Sequence, residues 1–236
     1  KEEVLQLKQQ VKALFDLLMA SAEKYQNVLL PGYTHLQIAM PSSFGMWFSA
    51  YAETLIDDMT MLNAALKVVD QNPLGSAAGY GSSFPIDRTF TTNEMGFSTL
   101  KYNSVAAQMS RGKSEKTVAF AMASVAGTLS KMAYDVCLYM SQNFDFIGLP
   151  ANLTTGSSIM PHKKNPDVFE LMRGKCNKIQ AIPFELASVM ANLTSGYFRD
   201  LQLLKEKYIY AFDETIACLE MALLMVPNID VNKNII

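Results

Sequence analysis

The sequence is poor in charged residues and in cysteine. Only 18% of its 236 residues are charged, the net charge is −2 and no dense basic run occurs, which argues against a nucleic-acid or anionic-membrane partner. Its three cysteines, Cys137, Cys176 and Cys218, are widely spaced and fit no metal-ligand pattern. An odd number of cysteines without such a pattern indicates reduced, buried thiols, so we expect a cytoplasmic protein.

Long uninterrupted apolar runs are also missing. The most apolar stretch, residues 119–140, contains Lys131 and Asp135, so we expect no transmembrane span. No basic segment followed by an apolar segment opens the sequence, and no secretory signal is therefore expected. Half of the residues are apolar, and the chain is long enough to bury a sizeable core. Fifteen methionines and few charges indicate helices that bury more than one face, in part against other subunits.

Apolar residues recur at helical spacing along the first seventy residues. In the first segment, successive apolar positions are three or four residues apart, at Val4, Leu7, Val11, Leu14, Leu18, Ala22 and Tyr25. After a break at Pro31-Gly32, similar spacing returns at Phe44, Phe48, Tyr51, Leu55, Leu62, Leu66 and Val69. This period is typical of helices packed lengthwise on one another. We predict that the second helix begins at Pro41 and runs for roughly 28 residues, about 40 Å, which favours an extended bundle.

The rest of the chain predicts further helices. Residues 72–88 are rich in Gly and Pro and predict a loop. Helices are then predicted over residues 92–108, 114–143, 166–192 and 200–225, with Ser114 as a candidate cap and Pro183 as a kink. Apolar and polar residues never alternate for long, so no strand is predicted. The expected fold class is all-α: one domain over residues 1–236, an elongated bundle of about five long helices.

One short segment, residues 154–166, concentrates reactive groups where regular structure is excluded. It reads TTGSSIMPHKKNP and supplies hydroxyls, two lysine ammonium groups and an amide. Gly156 permits backbone conformations closed to other residues, and Pro161 and Pro166 stop helix propagation. Such a loop favours chemistry over packing, although a solvated surface turn is the alternative for an isolated Gly-Ser-Ser.

Residues 156–166 match the pattern GSSxMPxKxNP at every specified position and resemble the signature loop of the fumarase/aspartase superfamily. That superfamily releases fumarate from a succinyl group bonded to nitrogen or oxygen. The resemblance implies that Ser157 is the catalytic base, which removes a Cβ proton once its neighbours activate it. It also implies that Lys163 neutralises charge developing on a substrate carboxylate, to which Asn165 and Thr155 donate hydrogen bonds.

Residues 30–37, LPGYTHLQ, carry His35, one of only two histidines in the chain. Histidine is the side chain best suited to proton exchange near neutral pH, although a lone histidine is more often structural. The letters GYTHLQ resemble the argininosuccinate lyase version of the superfamily's second region. This implies that His35 serves to protonate the departing guanidinium in the elimination and that Thr34 binds the substrate. The superfamily usually continues AQP, whereas residues 39–41 here read AMP.

Glu170 follows the loop, on the first turns of the predicted 166–192 helix. The superfamily places a carboxylate here that orients and polarises the histidine. A carboxylate bonded to one imidazole nitrogen fixes the tautomer and favours the charged ring, so Glu170 is predicted to be catalytic beside His35. The alternative is a solvated glutamate that the helix dipole favours at this position.

Residues 197–206, YFRDLQLLKE, resemble the YxxDLQxxKE segment of argininosuccinate lyases. The match implies that Tyr197, Gln202 and Lys205 bind polar groups of the substrate. Gln202 and Lys205 are three residues apart and are expected to share one helix face. An ordinary amphipathic helix is the alternative.

A fourth segment, PLGS followed by FPIDR within residues 73–88, also resembles argininosuccinate lyases. It is implied to shape the site wall, with Asp87 and Arg88 as structural partners rather than reactants. The four segments occur in the same order as in those enzymes. The implied reaction is the reversible β-elimination of argininosuccinate to arginine and fumarate, with neither a metal nor an organic cofactor.

The resemblance implies a longer protein and an oligomer. An N-terminal domain with an SRNDQ-type motif is expected before Lys1, and a small C-terminal domain after Ile236, so residues 1–236 are expected to be the central helical domain. In the superfamily such bundles form the twenty-helix core of a homotetramer, and each active site combines loops from three subunits. The alternatives are a lyase acting on adenylosuccinate or acylated argininosuccinate, a catalytically silent structural relative, and a helical assembly module without a small-molecule site.

Overall fold

A computed structural model describes residues 1–234 as a helical bundle. Five long helices of 22 to 27 residues form the bundle: α1 (Glu2–Lys24), α2 (Phe44–Val69), α5 (Lys113–Tyr139), α6 (Asp167–Val189) and α7 (Leu204–Met225). Two short helices, α3 (Arg88–Glu94) and α4 (Ser104–Met109), lie between α2 and α5 in the chain. The predicted all-α class and its five long helices are confirmed. None of the helices within residues 1–234 is long and apolar enough to cross a membrane.

Six short strands pair two by two. They form an antiparallel hairpin of β1 (Leu29–Thr34) and β2 (Gln37–Ser43), a parallel pair of β3 (Gln71–Asn72) and β4 (Thr99–Leu100), and an antiparallel pair of β5 (Ile147–Gly148) and β6 (Asp230–Val231). The prediction that no strand occurs is therefore wrong. The hairpin escapes a periodicity search because most of its residues are exposed on both faces, so no apolar face alternates with a polar one.

The apolar stripe of α1 packs into the core as its spacing predicts. All seven stripe residues are buried, and Leu7, Leu14 and Leu18 have no exposed surface. α1 packs on α2 and α7, while α5 contacts α2, α6 and α7. Because these leucines are fully enclosed, replacing one by alanine would cost about 2–5 kcal/mol.

The start of α2 lies three residues later than predicted. Pro41 pairs with Pro31 in the hairpin, and α2 begins at Phe44. The hydroxyl of Ser43 accepts the N–H of Met46 at 3.1 Å and so caps the helix.

The predicted helix over residues 92–108 is divided into α3 and α4. Gly96 follows α3 with a φ of +65°, a left-handed conformation that glycine adopts without steric cost. Asn103 then begins a new helix, because its side chain accepts the N–H of Ala106 at 2.9 Å. Gly96 therefore ends one helix and Asn103 caps the next, although the apolar spacing of residues 92–108 predicts a single helix.

The first turn of α5 explains why Gly112, rather than Ser114, is its cap. Gly112 has a φ of +84°, and a Cβ at this position would lie 2.7 Å from the Sδ of Met190. Its N–H donates to the carboxylate of Glu115 at 2.6 Å. The close contact fixes the end of α6 against the start of α5. α6 itself continues through Pro183 as one helix.

Candidate active site

The signature loop is closed at its base by one antiparallel bridge. The N–H of Asn165 donates to the carbonyl of Thr155 at 2.8 Å, and the N–H of Thr155 donates to the carbonyl of Asn165 at 3.3 Å. Most of the residues between them are exposed, and α6 begins two residues after the bridge. The prediction that this segment is not regular structure is confirmed, and α6 gives the loop a rigid base.

Ser157 is half-buried within this loop and its Oγ accepts hydrogen bonds from the backbone. The N–H of Met160 lies 3.2 Å from the Oγ and that of Ile159 lies 3.4 Å from it. Two backbone donors on one hydroxyl oxygen stabilise negative charge there, because a hydrogen bond to the charged form favours that form. The catalytic role of Ser157 stays a prediction, with which these two donors are compatible.

Lys163 places an ammonium group on the same loop. Its backbone N–H donates to the carbonyl of Met160 at 3.0 Å, while its side chain is exposed. Within residues 1–234 the Lys163 ammonium joins no ion pair. It is therefore available to an anionic ligand. His162 and Lys164, which flank Lys163, are also exposed.

His35 occupies the turn of the β1–β2 hairpin. His35 and Leu36 have φ values of +53° and +59°, and they connect the paired residues Thr34 and Gln37. Two consecutive positive φ values are typical of a type I′ turn, for which glycine and asparagine are preferred. Left-handed backbone costs other residues roughly 1–2 kcal/mol each. A histidine kept in such a turn is presented to solvent at a cost in stability, a combination that occurs at functional sites.

The same hairpin exposes apolar side chains beside the histidine. Leu36 is 69% exposed, Ile38 is 72% exposed and Met40 is 70% exposed. Such a group of apolar side chains marks a surface that another molecule covers.

The chain does not join His35 to Glu170. Within residues 1–234 no ion pair connects them, and Glu170 is an exposed residue in the first turn of α6. Glu170 acts instead on a neighbouring thiol: burial, followed by the negative charge of Glu170, raises the pKa of Cys137 to about 11. The predicted histidine–carboxylate pair is therefore not formed within one chain.

Two of the three predicted residues near α7 lie together. The side-chain amide of Gln202 donates to the phenol oxygen of Tyr197 at 2.7 Å. Gln202 ends the 3₁₀ turn Arg199–Gln202, whereas Lys205 is exposed in the first turn of α7. The prediction that Gln202 and Lys205 share one helix is therefore wrong, because the chain changes helix type between them.

The 72–88 loop is held by structural contacts, as predicted for Asp87 and Arg88. The guanidinium of Arg88 donates to the carbonyls of Leu74 at 2.8 Å, Lys101 at 2.8 Å and Tyr102 at 3.0 Å. The carboxylate of Asp87 caps α3. Both side chains therefore organise the loop rather than face a ligand.

The 72–88 loop also approaches the segment that carries Tyr197. A Cβ on Gly196 would lie 3.3 Å from the phenol oxygen of Tyr80, so only glycine gives this close approach without displacing Tyr80. Gly196 also has a φ of +105°, which strains any other residue. The loop and Tyr197 are thus neighbours, which agrees with the predicted site wall.

Sequence reasoning missed two polar anchors. Asn72 is fully buried and donates to the hydroxyls of Thr91 at 3.1 Å and Thr92 at 2.9 Å. Asp167 begins α6, and its carboxylate accepts the hydroxyl proton of Thr155. The available signal was their position: Asn72 lies three residues after the end of α2, and Asp167 directly follows the signature loop.

Comparison with known proteins identifies relatives along the whole chain. Residues 1–181 match a family model described as lyase. Over 234 residues the chain is 59% identical to an argininosuccinate lyase of Phocaeicola vulgatus, covering 99% of this chain and 52% of that protein. It is 43% identical over 219 residues to an argininosuccinate lyase of Xanthomonas oryzae pv. oryzae, covering 93% of this chain and 50% of that protein. The chain spans about half the length of the curated relatives it matches.

Solved structures show the same fold at low identity. An EDDS lyase in complex with formate has a TM-score of 0.90 at 22% identity, covering 99% of this chain and 46% of that chain. A class II fumarase from Schistosoma mansoni has a TM-score of 0.86 at 20% identity, covering 97% of this chain and 53% of that chain.

The family model extends over most of the chain, from α1 into α6, and includes both the His35 hairpin and the Ser157 loop. On this evidence the chain belongs to the lyase family, and the relatives that it resembles at 43–59% identity are argininosuccinate lyases.

Proposed function

We propose that the intact protein is an argininosuccinate lyase, which converts argininosuccinate reversibly to arginine and fumarate, as in arginine biosynthesis. The observation that carries this proposal is the Ser157 loop: a complete signature motif in which two backbone N–H groups donate to the Oγ of the predicted base. Similarity of 58–59% to proteins named argininosuccinate lyase supports this substrate over others of the superfamily.

The proposed chemistry begins at the Cβ of the succinyl group. Ser157 acts as its alkoxide: the Oγ takes the Cβ proton and returns to the hydroxyl, and the electron pair left on carbon is delocalised into the adjacent carboxylate. Lys163, Asn165 and Thr155 hold that carboxylate, because fixed donors are worth most where negative charge develops. The exposed Lys163 ammonium and the loop position of all four groups support these roles.

The second step breaks the bond between carbon and the guanidinium nitrogen. The electron pair from carbon forms the double bond of fumarate, and the bonding pair leaves with the nitrogen of arginine. His35, paired with Glu170, supplies the proton that the departing nitrogen requires. The exposed position of His35 on a strained turn supports a role that faces outward from its own chain.

Residues around α7 would bind the remaining polar groups of the substrate. Tyr197 and Gln202 form a joined pair that presents a phenol and an amide, and Lys205 adds a cation one turn along the chain. Thr34, next to His35 in the hairpin, would contact the substrate at the reacting end.

The proposed site requires more than one chain. His35 and Glu170 would meet across subunits of a homotetramer, each site combining loops from three chains, with this bundle as the central domain. Exposed apolar residues on the long helices support burial in such an assembly, among them Ile56, Leu171, Phe184 and Leu224. The buried or half-buried state of all three thiols supports a cytoplasmic location.

The direct test is argininosuccinate-dependent fumarate formation, followed by ultraviolet absorbance, in the intact protein and its Ser157→Ala variant. Ser188→Ala is the matched control, because Ser188 is an exposed serine of α6 whose hydroxyl donates to the carbonyl of Phe184 and contacts no predicted site residue. We expect the parent and control to turn over and Ser157→Ala to lose at least about 100-fold in kcat.

Each other outcome removes a stated part of the proposal. No turnover by a parent that is confirmed to be tetrameric would exclude argininosuccinate and direct attention to other succinyl substrates. Equal activity of the parent and Ser157→Ala would leave the reaction standing and exclude Ser157 as the base.

A further inference from the structure

Thr155 makes a contact that its proposed role does not account for. Its hydroxyl proton is donated to the carboxylate of Asp167, the first residue of α6. Its Oγ1 meanwhile accepts the side-chain N–H of Asn165 at 3.3 Å. These hydrogen bonds run from Asn165 through Thr155 to Asp167, across the base of the signature loop.

The two loop residues in this chain of contacts are those assigned to a substrate carboxylate. A threonine hydroxyl has a single proton, so it can donate to one carboxylate at a time. In this structure the carboxylate is that of Asp167, which presents the same two acceptor oxygens as a substrate carboxylate. A ligand that takes the Thr155 proton must therefore displace Asp167 from it.

Charge repulsion prevents the ligand carboxylate and the Asp167 carboxylate from occupying Thr155 at the same time. A ligand carboxylate beside Thr155 and the Asp167 carboxylate would be like charges at close range, and like charges repel. Asp167 is half-buried at the base of the loop and belongs to a 23-residue helix, so Thr155 and the loop are the parts that can turn away.

We propose that Asp167 is a positioning residue: its carboxylate holds the signature loop in the ligand-free arrangement by occupying Thr155, and a ligand carboxylate displaces it. The ligand in this inference rests on the proposed function, whereas the loop contact does not. The Asp167 carboxylate competes with a dicarboxylate for Thr155 and so lowers the apparent affinity for that ligand. Only the molecules in which Thr155 is not bonded to Asp167 can bind it.

Succinate is a suitable probe, because it has two carboxylates but neither a leaving group nor a double bond. We would measure its Kd calorimetrically in the intact protein for the parent, Asp167→Ala, Thr155→Val and the double variant. The Kd is expected to fall by roughly three- to tenfold in Asp167→Ala, since the competing state is removed. In the Thr155→Val background, Asp167→Ala should have no effect, because the hydroxyl for which the two carboxylates compete is absent.

The double variant separates this mechanism from simple charge removal. If Asp167 acted only as a nearby negative charge, its removal would lower the Kd equally with and without the Thr155 hydroxyl. That result, or a Kd that is unchanged or higher in Asp167→Ala, would overturn the proposal. Asp167→Asn, which keeps the size and one acceptor oxygen, should give an intermediate Kd and replaces the alanine variant if the latter fails to fold.

Amide hydrogen exchange tests the contact without any ligand or turnover. In the ligand-free intact protein, exchange over residues 156–165 should rise in Asp167→Ala and remain at the parent rate in Thr155→Ser, which keeps both hydrogen bonds. Unchanged exchange in Asp167→Ala would refute the holding role. If succinate fails to bind the parent, the displacement step falls, whereas the proposed function is decided separately by argininosuccinate turnover. If only argininosuccinate turnover fails, the exchange result and the double-variant result still stand.

Discussion

The side-chain amide of Gln202 donates a 2.7 Å hydrogen bond to the phenol oxygen of Tyr197, five residues earlier in the chain. Tyr197 is 49% exposed, so water competes for both partners and the bond contributes little to stability. The pairing fixes the direction of two polar groups at the surface, which is useful only if something binds there.

Tyr197→Phe should therefore separate binding from stability. We expect the free energy of unfolding to change by less than about 0.5 kcal/mol, as for other exposed positions. The KM for argininosuccinate should rise by about tenfold, since losing one hydrogen bond of some 1.4 kcal/mol corresponds to that factor. Tyr102→Phe is the control, because Tyr102 is an 80% exposed tyrosine outside the proposed site. An unchanged KM in Tyr197→Phe would remove Tyr197 from the binding surface.

Asp58 should make the bundle less stable as the pH rises. Asp58 is 2% exposed between α2 and α5, where its carboxylate accepts the hydroxyl protons of Ser124 at 2.5 Å and Thr128 at 2.7 Å. Burial raises the pKa of the Asp58 carboxyl, the two hydrogen bonds offset part of this, and the charge of Asp57 adds to it. The protonated Asp58 carboxyl therefore contributes its full stabilisation below the pKa that this group has in the unfolded chain. That stabilisation is lost as the pH rises through the higher pKa of Asp58 in the folded chain.

Asp58→Asn should raise the Tm at pH 7 by roughly 2–4 °C, which corresponds to about 1 kcal/mol for a chain of this size. The gain should shrink as the pH falls, because the raised pKa of the parent carboxyl lets it become protonated at a higher pH than an ordinary aspartate. Thermal unfolding between pH 3.5 and 8 measures both effects. Asp213→Asn, at an exposed position of α7, is the control, and its Tm relative to the parent should not change with pH in this way. A lower Tm for Asp58→Asn at pH 7 would contradict the argument.

Asn72 should be required for the order of the 72–88 loop. Its fully buried side chain donates to Thr92 at 2.9 Å and accepts the N–H of Leu74 at 2.9 Å. Asn72→Ala removes both bonds and leaves a cavity at a fully buried position, so the free energy of unfolding should fall by about 1–3 kcal/mol. Urea unfolding gives this value, with the exposed Asn143→Ala as the control. Equal losses in the two variants would exclude an anchoring role for Asn72.

The native thiols should react slowly. Cys176 and Cys218 are buried, and Cys137 is half-buried with its pKa raised to about 11, so only about one Cys137 in a thousand is a thiolate at pH 8. An aromatic disulfide reagent should find no fast thiol in the native protein and three in urea. Glu170→Gln should speed the reaction of Cys137, because the charge of Glu170 contributes to the raised pKa. A fast thiol that persists in Cys137→Ser would contradict this assignment.

Much of the fold could be predicted because the core is built from local periodicity. The stripe from Val4 to Tyr25 repeats every three or four residues, and all of its members are buried. The division of residues 92–108 was not predicted, because a glycine stop and an asparagine cap lie inside an otherwise helical pattern. The hairpin was not predicted because neither of its faces is buried by this chain.

The site could be predicted only as far as its residues are contiguous in sequence. The loop around Ser157 is a single segment, so its irregular backbone followed from its glycine and prolines. The contact of Asp167 with Thr155 spans 12 residues and that of Asn72 with Thr92 spans 20, and no sequence pattern records such pairs. The roles of His35 and Glu170 stay predictions, because their proposed meeting lies between chains.

The β1–β2 hairpin also governs how the chain behaves at high concentration. As a two-stranded sheet it has an unpaired edge on each side, and apolar Ile38 and Met40 stand exposed on β2. Open edges of this kind are templates on which further strands add, and charged residues normally guard against it. Residues 29–43 contain no Lys, Arg, Asp or Glu. Apart from Pro31 and Pro41, which cannot donate to an added strand, the hairpin carries no protection of its own, so we expect the isolated chain to self-associate there unless another chain covers it.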